Sequence, residues 1–152
     1  ARRIMICAAE DVGNADPQAL AVAVNASLAV ERIGMPEAKI ILSQAAAYVA
    51  SAPKSNAACE AVFAAMEEVG RSGNLPIPAH LQDAHYKGAS KLGRGTGYKY
   101  AHDYPNHYVE QQYLPYELNG KEFYKPTGNG YEARIREHMR RLRTEAREAG
   151  KS

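Results

Sequence analysis

Tryptophan is absent from this 152-residue sequence, and phenylalanine and cysteine occur only twice each. Cys7 and Cys59 lie in separate alanine-rich stretches, without metal-ligand spacing or a secretory context. They read as small buried hydrophobes in a protein of the reducing cytoplasm. No apolar run approaches the ~20 residues needed to cross a bilayer, so no membrane partner is expected. The Walker A pattern, GxxxxGK followed by Ser or Thr, is missing, which excludes nucleotide binding and hydrolysis by the P-loop route. HExxH and CxxC are missing too. No initiator methionine and no signal-peptide layout open the chain; a helical pattern begins at once after Ala1, as expected of a piece of something longer. The net charge of +2 is too small by itself to specify nucleic acid. Its distribution is mildly uneven: residues 1–79 hold 6 basic and 8 acidic groups, residues 80–152 hold 13 and 9.

What is present in the first half is helical punctuation. Ile4, Cys7, Ala8 and Val12 share a face before Gly13 supplies a left-handed stop. Asp16 is placed as an N-cap with Pro17 at the first helical position, ahead of a stripe of Leu20, Ala23, Val24, Ser27 and Leu28. After Gly34, Pro36 opens a third helix with Ile40, Ile41, Ala45, Tyr48 and Val49 inward, closed by Pro53. Ser55 caps a fourth, carrying Cys59, Val62, Phe63, Met66 and Val69 before Gly70. A fifth is expected from about His80 to Leu92, weakened by Gly88, and a last one from about Tyr131 to Ala149. Strand alternation is absent from the first half. Short links and alanine-rich faces predict an all-α, antiparallel helical bundle in one domain, residues 1–152.

One stretch breaks the pattern. Residues 93–130 form an irregular, aromatic-rich segment, with six of the ten tyrosines between Tyr98 and Tyr116. Such a segment is expected to dock on the helical body through Tyr98, Tyr100, Tyr104, Tyr108 and Tyr113, each a broad ring with a polar tip. The alternative is direct DNA binding, with Lys91, Arg94 and Lys99 meeting phosphates beside stacking tyrosines, helped by Arg140 and Arg141 of the last helix. In that helix, Glu132, Glu137, Glu145 and Glu148 alternate with arginines, the pattern of a solvated face laced with ion pairs. Gly93-Arg94-Gly95-Thr96-Gly97 lacks the preceding strand and following helix of a phosphate loop. His80/His85 and His102/His107 are spaced five apart, so neither pair shares a helix face. His102-Asp103 makes a metal or acid–base centre only if the fold supplies a third group; a structural histidine is the commoner outcome.

Three stretches together carry a family signature: Glu10-Asp11-Val12-Gly13-Asn14-Ala15-Asp16-Pro17; Gly34-Met35-Pro36-Glu37 leading to Ala52-Pro53-Lys54-Ser55-Asn56; and His80 to Gly88 running into Gly97-Tyr98-Lys99-Tyr100 and Gln111-Gln112-Tyr113-Leu114-Pro115. The chain resembles the C-terminal domain of the MgsA/RarA family, the replication-associated recombination protein A of bacteria, related to the eukaryotic Werner-helicase-interacting ATPase. The resemblance implies AAA+ ATPases akin to clamp loaders, acting at stalled or gapped replication forks with DNA and single-stranded-DNA-binding protein as partners. It implies a helical, collar-like region that holds a homotetramer, in a cytoplasmic, nucleoid-associated protein. In the family, ATP and magnesium belong to an N-terminal module that carries the Walker motifs, so no catalytic, cofactor or metal residue transfers to this chain. Leu20, Ala23, Val24 and Leu28, together with the small-residue faces Ala19-Ala23-Ala26 and Ala45-Ala47, are the expected oligomer contacts.

Overall fold

The computed structural model describes residues 1–85 and 90–149. The protein is all-α, with five α-helices among the described residues: α1 (Arg2–Cys7), α2 (Gln18–Ile33), α3 (Ala38–Ser51), α4 (Ala57–Ser72) and α5 (Glu132–Ala149). No strand occurs among the described residues, and none of their helices is long and apolar enough to cross a membrane. The chain divides into two compact units, one of Ala1–Glu67 with Phe123–His138, the other of Glu68–Glu122 with Met139–Ser152.

In the first unit, α1 runs into a π-helical turn, Ala8–Val12, and stops at Gly13, whose φ is 50°. Asp16 caps α2 as its position predicts: Oδ1 accepts the Gln18 amide at 3.0 Å. Its Oδ2 accepts the Tyr48 hydroxyl at 2.9 Å, tying the start of α2 to the end of α3. The last carbonyls of α3 are satisfied by Lys54, whose Nζ donates to Val49 at 2.9 Å and Ala50 at 3.1 Å, and also to Ala52. A cation at this position also opposes the negative end of the helix dipole. Ser55 caps α4, its Oγ accepting the Ala57 amide at 3.2 Å.

The core is small and built from small residues: Ala8, Val12, Ala19, Ala23 and Val49. α2 and α3 pack side by side across the short link 34–37, and α1 packs on both. This arrangement corrects the expected inward faces. α2 turns Ala19, Ala23 and Ala26 inward and leaves Leu20, Val24 and Leu28 exposed. α3 buries Ala38, Ala45 and Val49, while Ile40 and Tyr48 are exposed. The physical reason is distance: alanine ridges let helix axes approach closely, and leucines in the same seam would hold them apart.

In the second unit, α4 passes through Gly70 and ends at Gly73, where φ is 66°. The expected helix from His80 to Leu92 is not there among the described residues; positions 86–89, including Gly88, lie outside them. Instead, Ala79–Leu81 makes one 3-10 turn and Gln82 is extended. Asp83 is the local cause. Its Oδ1 accepts the His85 amide and faces the His85 ring nitrogen, a side-chain turn that competes with a helix. The Gln82 amide side chain donates to the Ile77 carbonyl at 2.7 Å, holding the proline-rich connector against this turn. His80 is a structural histidine, its Nε2 2.8 Å from the Gln112 carbonyl.

Candidate interaction surfaces

Two apolar helix faces in the first unit have no cover among the described residues. On α2, Leu20, Val24 and Leu28 follow one another at intervals of one helical turn, and Leu28 is 51% exposed. Among the described residues, no other α-helix packs extensively along α4. Its Val62, Phe63 and Met66 stand in solvent, Phe63 at 62% and Met66 at 64% exposure. Periodicity places these side chains in a core. They are apolar and in helical register, as read, but among the described residues nothing covers this side of α4, while Ala57 and Glu68 on the helix are buried and Glu68 bonds Lys121. Of the expected contact residues, Leu20, Val24 and Leu28 are therefore available, while Ala23 is part of the core, as are Ala19 and Ala45.

In the second unit the irregular segment lies against α5. The Asn106 amide donates to Glu145 Oε2 at 2.7 Å, Arg147 Nε is 3.8 Å from Glu110, and Val109 is buried. Tyr104, Tyr108, Leu142 and Ala146 line a pocket of about 790 Å³ together with Lys99 and Arg147. Lys99 is held in place through its backbone, because the Gln111 side chain accepts its amide at 2.8 Å. The tyrosines are not buried as expected. Tyr98 and Tyr100 are 51% and 55% exposed, and Tyr104 and Tyr113 are exposed too; only Tyr108 is half-buried. Tyr98→Ala and Tyr100→Ala should each change stability by no more than ~0.5 kcal/mol in urea melts, the range of ordinary surface changes. A loss of several kcal/mol would show that the rings bear packing energy after all.

Lys91, Arg94, Lys99, Arg140 and Arg141 are all exposed. Arg141 sits 3.7 Å from Glu145, one helical turn away, and Arg143 pairs with Glu122 at 2.6 Å. Near Asp103, the His102 ring lies between Tyr100 and His107, with centroids 5.0 and 4.9 Å apart. Among the described residues, no three His, Cys, Asp or Glu side chains converge as metal ligands would.

The most enclosed polar centre is one that sequence reasoning missed. Glu132, in the first turn of α5, is fully buried. Its Oε2 accepts the Ser55 hydroxyl at 2.6 Å and both the amide and hydroxyl of Thr127, at 2.8 and 2.7 Å. Its Oε1 accepts the Tyr124 hydroxyl at 2.8 Å, which in turn accepts the Asn14 amide at 3.1 Å. Burial pushes the Glu132 carboxyl up, but the donors from Ser55, Thr127 and Tyr124 outweigh it and hold the group below the usual range. Next to it, the Tyr131 amide donates to the Ala15 carbonyl at 2.7 Å and Asn129 Nδ2 to the Lys54 carbonyl at 2.9 Å. The residues joined here, Asn14 and Ala15 with Lys54 and Ser55, fall in two of the stretches that carry the family signature. Together with Tyr124 and Thr127, they close the first unit around one carboxylate.

The family described as MgsA AAA+ ATPase C terminal matches residues 1–143. The chain belongs to this family. An AAA domain-containing protein of Mycobacterium tuberculosis is 50% identical over 143 residues, 94% of this chain and 32% of that protein. The replication-associated recombination protein A of Bacillus subtilis is 49% identical over 131 residues, 86% of this chain and 31% of the relative. The protein of the same name from Haemophilus influenzae is 41% identical over 152 residues, 99% of this chain and 34% of the relative. The chain thus spans about a third of the length of the curated relatives it matches. The match places it at the C-terminal domain of MgsA AAA+ ATPases.

Proposed function

We propose that this chain is the oligomerisation domain of a DNA-dependent AAA+ ATPase that acts at stalled or gapped replication forks in the cytoplasm, at the nucleoid. The observation that carries this reading is the α4 face, where Val62, Phe63 and Met66 are more than half exposed and, among the described residues, no other helix packs extensively along α4. Apolar side chains in helical register and out in water are the usual mark of a surface that a second macromolecule covers. A homotetramer is the assembly that the family resemblance suggests, with the remainder of the parent protein supplying ATP, magnesium and the contact with single-stranded-DNA-binding protein. The present residues supply none of that chemistry, and calorimetry should detect no micromolar affinity for ATP. Light scattering on the eluting peak tests the assembly itself. A mass near 16.6 kDa at all concentrations up to tens of micromolar would reject it, while a clean dimer would keep the role and correct the number.

A second reading is favoured by the exposed rings. Tyr98, Tyr100 and Tyr113 stand in solvent in the same unit as the exposed cations Lys91 and Lys99, an arrangement suited to stacking bases and meeting phosphates of a single strand. Arg94, Arg140 and Arg141 add charge, although Arg141 already faces Glu145. A titration with oligonucleotide at increasing salt decides it, because phosphate contacts make affinity fall steeply as salt rises. Absence of binding at low salt would remove DNA from this domain.

A further inference from the structure

The two uncovered faces differ in charge at their edges. On α2 the row Leu20, Val24, Leu28 continues, one turn further, to Arg32. On α4, Phe63 lies between Glu60 and Glu67 along the helix surface, with Val62 and Met66 beside it. Arg32 and Glu67 are exposed, and among the described residues neither has an ion-pair partner. Glu60 is engaged by the Asn56 amide at 2.9 Å but is also exposed. One face is therefore an aliphatic ridge ending in a free cation, the other an aromatic and thioether face bordered by free and nearly free anions.

We infer that the α2 face of one copy docks on the α4 face of the next, with Arg32 of one chain meeting Glu67 of its neighbour. The inference rests on the assembly reading above and adds which surfaces meet. Pairing α4 with itself across a two-fold axis would bring Glu60 and Glu67 of both copies onto one seam, and like charges there oppose association. Pairing α2 with α4 covers both apolar rows at once and matches a cation to an anion. The contact is heterologous, so every copy uses two different patches and association continues until the rotation between neighbours closes a ring. Two separate apolar faces per chain are what such a ring requires, whereas a two-fold dimer requires only one.

Complementation of surface variants tests this on the full chain. Val24→Asp disables the α2 face and Phe63→Asp the α4 face; both side chains are exposed, so the helical circular dichroism and melting profile should match the parent. Each variant alone should elute as a monomer. An equimolar mixture should give twice that mass and no more, because each chain keeps the face its partner has lost. Arg32→Glu should weaken association by about five- to tenfold, and adding Glu67→Arg in the same chain should restore it. A mixture that remains monomeric, a single Asp variant that assembles like the parent, or a charge swap without rescue would each overturn the pairing while leaving assembly intact. A parent chain that is itself monomeric would overturn the assembly reading and the pairing together.

Discussion

Glu132→Ala should destabilise the chain by about 3–5 kcal/mol, because it strips the common acceptor from buried donors and leaves them without water. The donors are the hydroxyls of Ser55, Thr127 and Tyr124 and the Thr127 amide, from the α3–α4 link and the segment leading into α5. Urea melts at neutral pH measure the loss directly, and a change below ~1 kcal/mol would mean that the network is dispensable. The same carboxylate sets an acid limit. Its pKa in the fold lies below the ordinary value, so the stabilisation it brings is complete above the unfolded pKa of ~4.3 and disappears as pH falls through the lower folded value. Stability should thus fall on acidification below about pH 5. Glu132→Gln should be less stable at neutral pH, since its NH₂ faces a donor, and should lose Glu132's share of that acid slope. An unchanged slope in the Gln variant would place the acid sensitivity on other carboxylates.

Gly130→Ala is expected to be as severe, at least ~4 kcal/mol, for a steric reason. Gly130 has φ of 51°, and a Cβ there would overlap the Ala15 carbonyl oxygen and lie 2.7 Å from Pro53 Cγ. Neither neighbour can yield easily: the carbonyl is backbone and accepts the Tyr131 amide, and the proline ring lies in the link that follows α3. Gly120→Ala is the control. Its φ of 77° is equally unusual, but nothing lies within 4 Å of the added Cβ, so only the left-handed backbone penalty of ~1–2 kcal/mol applies. Thermal melts that rank the two substitutions alike would show that the closure of residues 128–132 over Ala15 and Pro53 is looser than drawn.

Local chemistry was legible in the sequence. Asp16 and Ser55 announced helix starts because a short side-chain acceptor satisfies amides only one turn away, and both do so. Gly13 and Gly34 announced stops because each must adopt positive φ. Helix class, the order of α1 to α4 and the extent of α5 follow from such short-range rules. Membership of the MgsA family was legible too, from three stretches of which two are now seen to meet. Leu20, Val24 and Leu28, and likewise Val62, Phe63 and Met66, were correctly grouped, each set on one side of a helix. Only the tertiary structure decided which side faces a neighbour. Periodicity reports that a stripe is apolar, but burial depends on what stands opposite, and here alanines occupy the close seams while the larger side chains remain outside. Tertiary structure alone likewise made Glu132 a hub. Ser55 reaches it across 77 residues of chain, and Asn14 joins through Tyr124, 110 residues further along. A carboxylate in a row of surface glutamates gives no local sign of such donors; only the folded chain brings them within hydrogen-bond range.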